Sequence, residues 1–413
     1  MSADLDLLPH PAFLTEYPYT RYLRKFASGD IRGTAEQVAR FREFASVGDP
    51  LADAVVETIQ AMPPGQGRRL FEQAVEQGIA SIPDPPEAYR AFFAQVEEIP
   101  FWLDFEQVEL GARTNRRSGM LGLYALQGLA LMGGYLASRP SKTLVATGNL
   151  ESAAPRRLVE TASWWVDITE PGALTRFGTG FKNTLRVRLM HAQIRAAMRR
   201  RPDWDYRAWD EPVNQVQTLG TLILFSLAFL VGTHSLGLRY TEREREAVVH
   251  LWRYVGYLQG IVPELLPATE ADTWRLFWLE AVTEFIPDED SLRLARALRD
   301  TFGPDGEYPV GRVAKWALTN YLGSYSRVVL GRRNADFLEL PDSALFRTAV
   351  LGTSSAVLAL DAVRRVLPGG TRMSEWLGGA TRRWMLTQGI RTVRADTTYG
   401  GNLRAAAGGT AGG

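Results

Sequence analysis

The chain has 413 residues, room for two or three average domains or one large one, and its 46% hydrophobic content suffices for a full core without disulfide or metal staples. A formal net charge of +1 argues against a polyanionic partner such as nucleic acid. With no cysteine, disulfides, thiolate nucleophiles, iron–sulfur clusters and thiolate-held zinc or haem are excluded, so any metal must sit on nitrogen, oxygen or methionine sulfur.

The start, MSADLDLLPHPAFL, is acidic and broken by prolines, with no basic segment leading into an apolar run. It predicts no signal peptide and a cytoplasmic protein. Helical periodicity follows over 34–44, 51–60, 67–78 and 86–97, with breakers at Pro63-Pro64-Gly65 and Pro83-Asp84-Pro85-Pro86 between the segments. Residues 120–137 (MLGLYALQGLALMGGYLA) and 219–237 (LGTLILFSLAFLVGTHSLG) are apolar enough to raise a membrane question. Their Tyr, Gln, Ser, Thr and His content and the absence of a positive-inside pattern favour buried core helices and no integral span. Residues 152–167 (SAAPRRLVETASWWVD) read as a helix capped near Ser152 with Pro155 near its first turn. Further helical segments fall at 183–200, 242–258, 270–285 and 343–366. Period-2 runs and hairpin dipeptides are missing, so the fold class is all-α. The Gly/Ala-rich end, 395–413, reads as a disordered tail after a single domain over 1–394.

Four histidines are present. His10 lies between prolines, His234 follows an apolar helix in GTHSLG, and His250 sits among aromatics, so packing or turn roles account for all three. His191 keeps different company. In NTLRVRLMHAQIRAAMRRR it shares spacings of 3, 4, 7 and 11 with Val187, Met190, Ile194 and Met198, on the apolar stripe of a helix. Arg186, Arg188 and Arg195 flank the stripe. A haem needs such a pattern, a neutral imidazole from an apolar wall and cations at the rim for the propionates. From the pattern alone, a hydrogen-bonded core histidine beside solvated arginines is the commoner explanation. On 152–167, Arg157 and Thr161 share one helix face with Glu160 beside them, offering a donor, a hydroxyl and a carboxylate to a cavity or simply a solvated face. Zinc-protease, di-iron, nucleotide-binding and serine-hydrolase motifs are missing.

Arg157-x-x-Glu160-Thr161, followed by His191 in VRLMHAQIR, resembles the rubber oxygenases (latex-clearing proteins) and the wider family that includes fungal MpaB oxygenases. FFAQVEEIPFWLDFEQVELG, RRSGMLG, PVNQVQTLGTLILFS and HLWRYVGYLQGIVPELLP carry the likeness over roughly residues 40–370. It implies a globin-like helical core wrapped by further helices, one non-covalent haem b, and an oxygenase that uses O2 on a C=C bond of an apolar substrate. By position, His191 matches the family's proximal ligand, with Arg188 and Arg195 beside it for the cofactor; Arg157 and Thr161 match the distal-side pair. Rubber oxygenases have lysine where this chain has Glu160, which puts the distal ligand and polymer cleavage in question. Because the rubber enzymes are exported and this start reads otherwise, a smaller isoprenoid or other alkene is expected. Two alternatives stay open: a haem protein of peroxidase or sensor type, and a haem-free helical module for a lipid or partner protein.

Overall fold

A computed structural model of the chain describes residues 27, 29–146, 150–302 and 309–395. Among them there is no strand, and the all-helical expectation holds. The first five helices are α1 (Ala35–Glu43), α2 (Pro50–Ala61), α3 (Gln66–Gln77), α4 (Glu87–Glu97) and α5 (Phe105–Arg117). Next come α6 (Gly119–Gly134), α7 (Ser138–Ala146), α8 (Leu150–Ile168), α9 (Thr179–Arg199), α10 (Gln215–Ser235) and α11 (Glu242–Leu258). The last six are α12 (Glu270–Glu284), α13 (Glu289–Asp300), α14 (Pro309–Leu330), α15 (Arg332–Phe337), α16 (Ala344–Val366) and α17 (Gly370–Val393).

Local chemistry sets the starts. Thr34, Thr241 and Thr269 each accept from the backbone N–H three residues on, while Gln37, Glu244 and Asp272 return the bond, so orphan donors at three helix ends are satisfied in pairs. Asp49 caps α2 with Pro50 behind it. The helix expected over 152–167 starts earlier, at Leu150, and carries Pro155 inside it at the expense of one backbone bond. Ser152, expected near the cap, therefore lies inside the helix, two residues past its start; His10 and the 395–413 tail beyond Ala395 lie outside what is described.

The main core gathers α2–α5 and α8–α11 around Phe71, Phe92, Phe93, Trp165, Phe181 and Trp252. A second cluster joins α6, α13, α14 and α15. α5 and α11 form the tightest helix pair: a Cβ on Gly111 would lie 2.3 Å from the Ala247 carbonyl oxygen.

Both apolar runs depart from regular helix. α6 contains a π-helical turn at Leu126–Leu131 and α10 another at Leu224–Ala228, and the two turns pack together. Nearby, Gly232 of α10 admits Ala125 of α6 and the Tyr325 ring, whose hydroxyl donates to the Gly232 carbonyl at 3.1 Å. After α6 the chain turns by 98° into α7. By length and composition α10 and α16 are both able to cross a membrane, but 61% of the apolar stretch of α10 is buried inside the protein and only 11% of that of α16.

Candidate active site

The site is built on α9. One face of this helix, Arg188, Ala192 and Arg195, is pressed against α2 by buried charge pairs. Arg188 donates to both oxygens of Asp49 at 2.7 and 3.0 Å and to Gln95 Oε1 at 2.6 Å, with its guanidinium over the Phe92 ring. Arg195 donates to Asp53 at 2.8 Å and to the Val213 carbonyl at 2.7 Å. The donors expected to meet a cofactor's carboxylates are thus committed to protein carboxylates on the α2 side. The physical reason is spacing: positions 188, 192 and 195 share a face centred about 70° round the helix from His191. Arg186 is likewise taken, by Glu72 and Glu76 at 2.9 and 2.6 Å.

His191 itself points elsewhere. Burial, and then the Arg195 charge, pull its imidazole down to about 4, against smaller opposing influences from Asp49 and Gln259. It is therefore neutral at ordinary pH and carries a ring lone pair. Yet the residue keeps part of its surface accessible, as do Met190 and Ile194 on the same stripe. Gln259 donates Nε2 to the Thr184 carbonyl at 2.9 Å; its side chain lies near the imidazole, and its buried Oε1 makes no hydrogen bond among the described residues.

Helix α8 packs alongside α9 and brings Arg157, Glu160 and Thr161 together. Burial lowers the Arg157 pKa, while the nearby Tyr135 hydroxyl and Glu160 oppose the shift. Among the described residues Arg157 makes no hydrogen bond or ion pair, and it remains partly accessible. A desolvated cation without a partner is costly unless a ligand meets it. Glu160 is 4% exposed and accepts from Arg156 Nε at 2.7 Å. Ser163 of this helix and Thr169 just past its end return their hydroxyls to the carbonyls four residues back, whereas Thr161 is exposed and makes no such bond among the described residues. No hydrogen bond joins His191 to these three side chains among the described residues, although the two helices pack together.

One turn past Thr161, Trp164 meets Phe225 at 5.4 Å and Trp252 at 5.9 Å, and Phe225 stacks on Trp252 at 5.0 Å. Phe225 belongs to the π turn of α10, so the bulge delivers a ring to the α8 face that carries the polar residues. Tyr135, whose phenol burial pushes up to about 12 beside Arg157, was read in the sequence only as part of an apolar run. Arg156 and Gln259 were also missed. Arg156 stands four residues before Glu160 on the same helix, a spacing visible in the sequence, whereas Gln259 is reached only through tertiary packing.

The remaining described histidines behave as expected. His250 Nε2 accepts from the Asp104 N–H at 3.0 Å and packs edge-on to Trp102. His234 ends α10, its carbonyl accepting from Gly237 N–H and Arg239. Among the described residues, no three His, Asp or Glu side chains are disposed to hold a bare metal ion. An iron at His191 would need its other ligands from a cofactor, which fits a porphyrin with its four ring nitrogens.

Residues 116–365 match the sequence profile of the family described as ER-bound oxygenase mpaB/B′ and rubber oxygenase, catalytic domain, a span that includes Arg157, Glu160, Thr161 and His191. The chain is 23% identical over 324 residues to a protein named rubber oxygenase from Streptomyces sp. (strain K30), covering 76% of this chain and 74% of that one. In three dimensions it is similar to latex clearing protein LCP in its closed state, with a TM-score of 0.57 and 19% identity over 84% of this chain and 90% of that one.

Proposed function

Because the chain belongs to the family of ER-bound mpaB/B′ oxygenases and rubber oxygenases, we propose that it is a haem b-dependent oxygenase that uses O2 to oxidise or cleave a C=C bond of an isoprenoid or other apolar alkene, with His191 as the iron ligand. The observation that carries this reading is His191, an imidazole held neutral by burial that keeps part of its surface accessible and lies within the span that matches the family. Haem, when bound, supplies the iron and the O2 chemistry.

The protein's own groups do the rest. His191 offers its lone pair, and the buried Gln259 amide beside it is available as the outer partner that sets imidazole orientation. Arg157 stabilises negative charge that develops as oxygen adds to the alkene, and its desolvation makes that stabilisation stronger than water would allow. The Thr161 hydroxyl donates to the same oxygen. Glu160, held by Arg156, takes up an allylic proton and returns it. In cleavage, the C=C bond breaks and each of its carbons takes one atom of O2, so the alkene gives two carbonyl fragments and both oxygen atoms are accounted for. Apolar walls from α6 and α10 accommodate the hydrocarbon and exclude water.

The visible spectrum of purified protein, before and after dithionite and then with CO, tests the cofactor. A Soret band in the parent protein that is lost in His191→Ala is expected; unchanged pigment in His191→Ala removes the proposed centre. Turnover of alkenes with O2 rather than peroxide then separates an oxygenase from a peroxidase.

A further inference from the structure

The turn that ends α11 is locked against α9, the helix that carries His191. Gln259 closes α11 and Gly260 follows at φ +77°. The Gly260 N–H donates to the Tyr257 carbonyl at 3.1 Å and the Ile261 N–H to the Gly256 carbonyl at 3.0 Å, so the helix ends in a Schellman turn. Glycine is required at 260 for the left-handed backbone, and also because a Cβ would lie 2.6 Å from both Arg188 Nη2 and Asp49 Oδ2. Arg188 donates to the Leu258 carbonyl at 3.2 Å. From the other side, Gln215 donates to the Gly260 carbonyl at 3.0 Å and accepts from the Val262 N–H at 2.9 Å. The buried Arg188–Asp49 pair thus seats this turn.

The turn in its place sets where the Gln259 amide stands. Its Nε2 donates to the Thr184 carbonyl of α9 at 2.9 Å. Thr184 lies seven residues before His191, about 20° from it around the helix, and helical side chains lean towards the N-terminus. The imidazole therefore leans towards the side where the amide sits, and the two are close enough to interact. Gln259 is 8% exposed, and its buried Oε1 has no hydrogen bond among the described residues. A buried acceptor is costly to leave open. A neutral imidazole presents one N–H and one lone pair, so the ring holds the donor that this acceptor lacks.

We propose that Gln259 is a positioning residue for His191: its amide oxygen takes the imidazole N–H and so holds the ring in one tautomer, with the lone pair of the other nitrogen free for iron. The proposal deepens the reading of His191 as the iron ligand and rests on it for every effect at the metal, whereas the hydrogen bond belongs to the protein alone. Gln259→Glu and Gln259→Leu in the haem-loaded full-length protein test it, read by the reduction midpoint potential and the iron–histidine vibration. The glutamate, an anionic acceptor, should make the ring a stronger donor, lowering the potential and raising the vibration. Leucine, with no acceptor, should do the reverse and speed haem loss to a scavenger protein about tenfold. Loosened packing would move both variants the same way. Shifts of one sign in both, or no shift, with pigment retained would overturn the proposal. Should the parent bind no haem, or His191→Ala keep its pigment, the iron-ligand reading fails instead. The hydrogen bond is then judged by ring-nitrogen NMR of histidine-labelled protein, in which His191 should show one tautomer in the parent and a mixture in Gln259→Leu. A mixture in the parent itself would overturn the proposal, and that measurement needs no variant to fold.

Discussion

At the scale of single residues, the buried charges divide into those with partners and those without. Arg188, Arg195 and Arg382 are matched by carboxylates, while Arg157 is desolvated and meets none among the described residues. Arg157→Ala should therefore leave the pigment bound and cut turnover on the order of a hundredfold, as removal of one such donor does elsewhere; single-turnover kinetics with unchanged Soret absorbance read this out, and undiminished turnover would exclude the role. Glu280 is the acidic counterpart. It is buried with no hydrogen bond to Oε2, and burial and Glu284 raise it well above the usual carboxyl range, with Arg42 opposing. The folded state thus keeps a proton that the unfolded chain releases. Stability from this group is present below the unfolded-state pKa and is lost as pH rises towards the raised folded-state value. Glu280→Gln should lift Tm increasingly over the parent as pH rises through that window, and parallel Tm–pH curves would contradict it. In the sequence, His191 was legible because helical period and apolar neighbours isolate it. The fate of Arg188 and Arg195 was not, because their partners Asp49 and Asp53 lie more than 130 residues away and nothing local pairs them.

Individual helices were read best where local capping marks their ends. α11 and α12 emerge within a residue or two of their expected bounds, since capping boxes mark their starts. α17 escaped notice for a physical reason: its buried positions are Gly378, Gly379 and Arg382, so close approach and a charge hold it down and no hydrophobic period exists to be seen. Composition likewise flagged the two inner apolar runs and passed over α16, whose exposure depends on what packs beside it. Close approach also fixes the α5–α11 pair. Gly111→Ala would drive a methyl group into the Ala247 backbone, and a loss of about 1–3 kcal/mol is expected from such overpacking. Urea unfolding of the variant measures it; an unchanged midpoint would mean that the helices separate freely.

Across the whole molecule, α17 packs on α5, α6, α8 and α16, and Arg382 is its deepest contact. Replacing it with alanine should expose α17 to limited proteolysis within 370–393 while the absorption spectrum keeps its shape; equal cleavage of parent and variant would show that other contacts suffice. The two π turns act over a longer range. Each holds one residue more than a regular helix of the same path, and a residue added to or removed from a helix rotates everything beyond it by about 100°. Deleting Gly128 alone would straighten α6 and swing Tyr135 away from Arg157, and a matching deletion in Leu224–Ala228 would turn Gly232 off its seat against Ala125. Relatives that share this interior should align through both turns without a gap, and one that skips a residue there has a differently phased wall around its substrate.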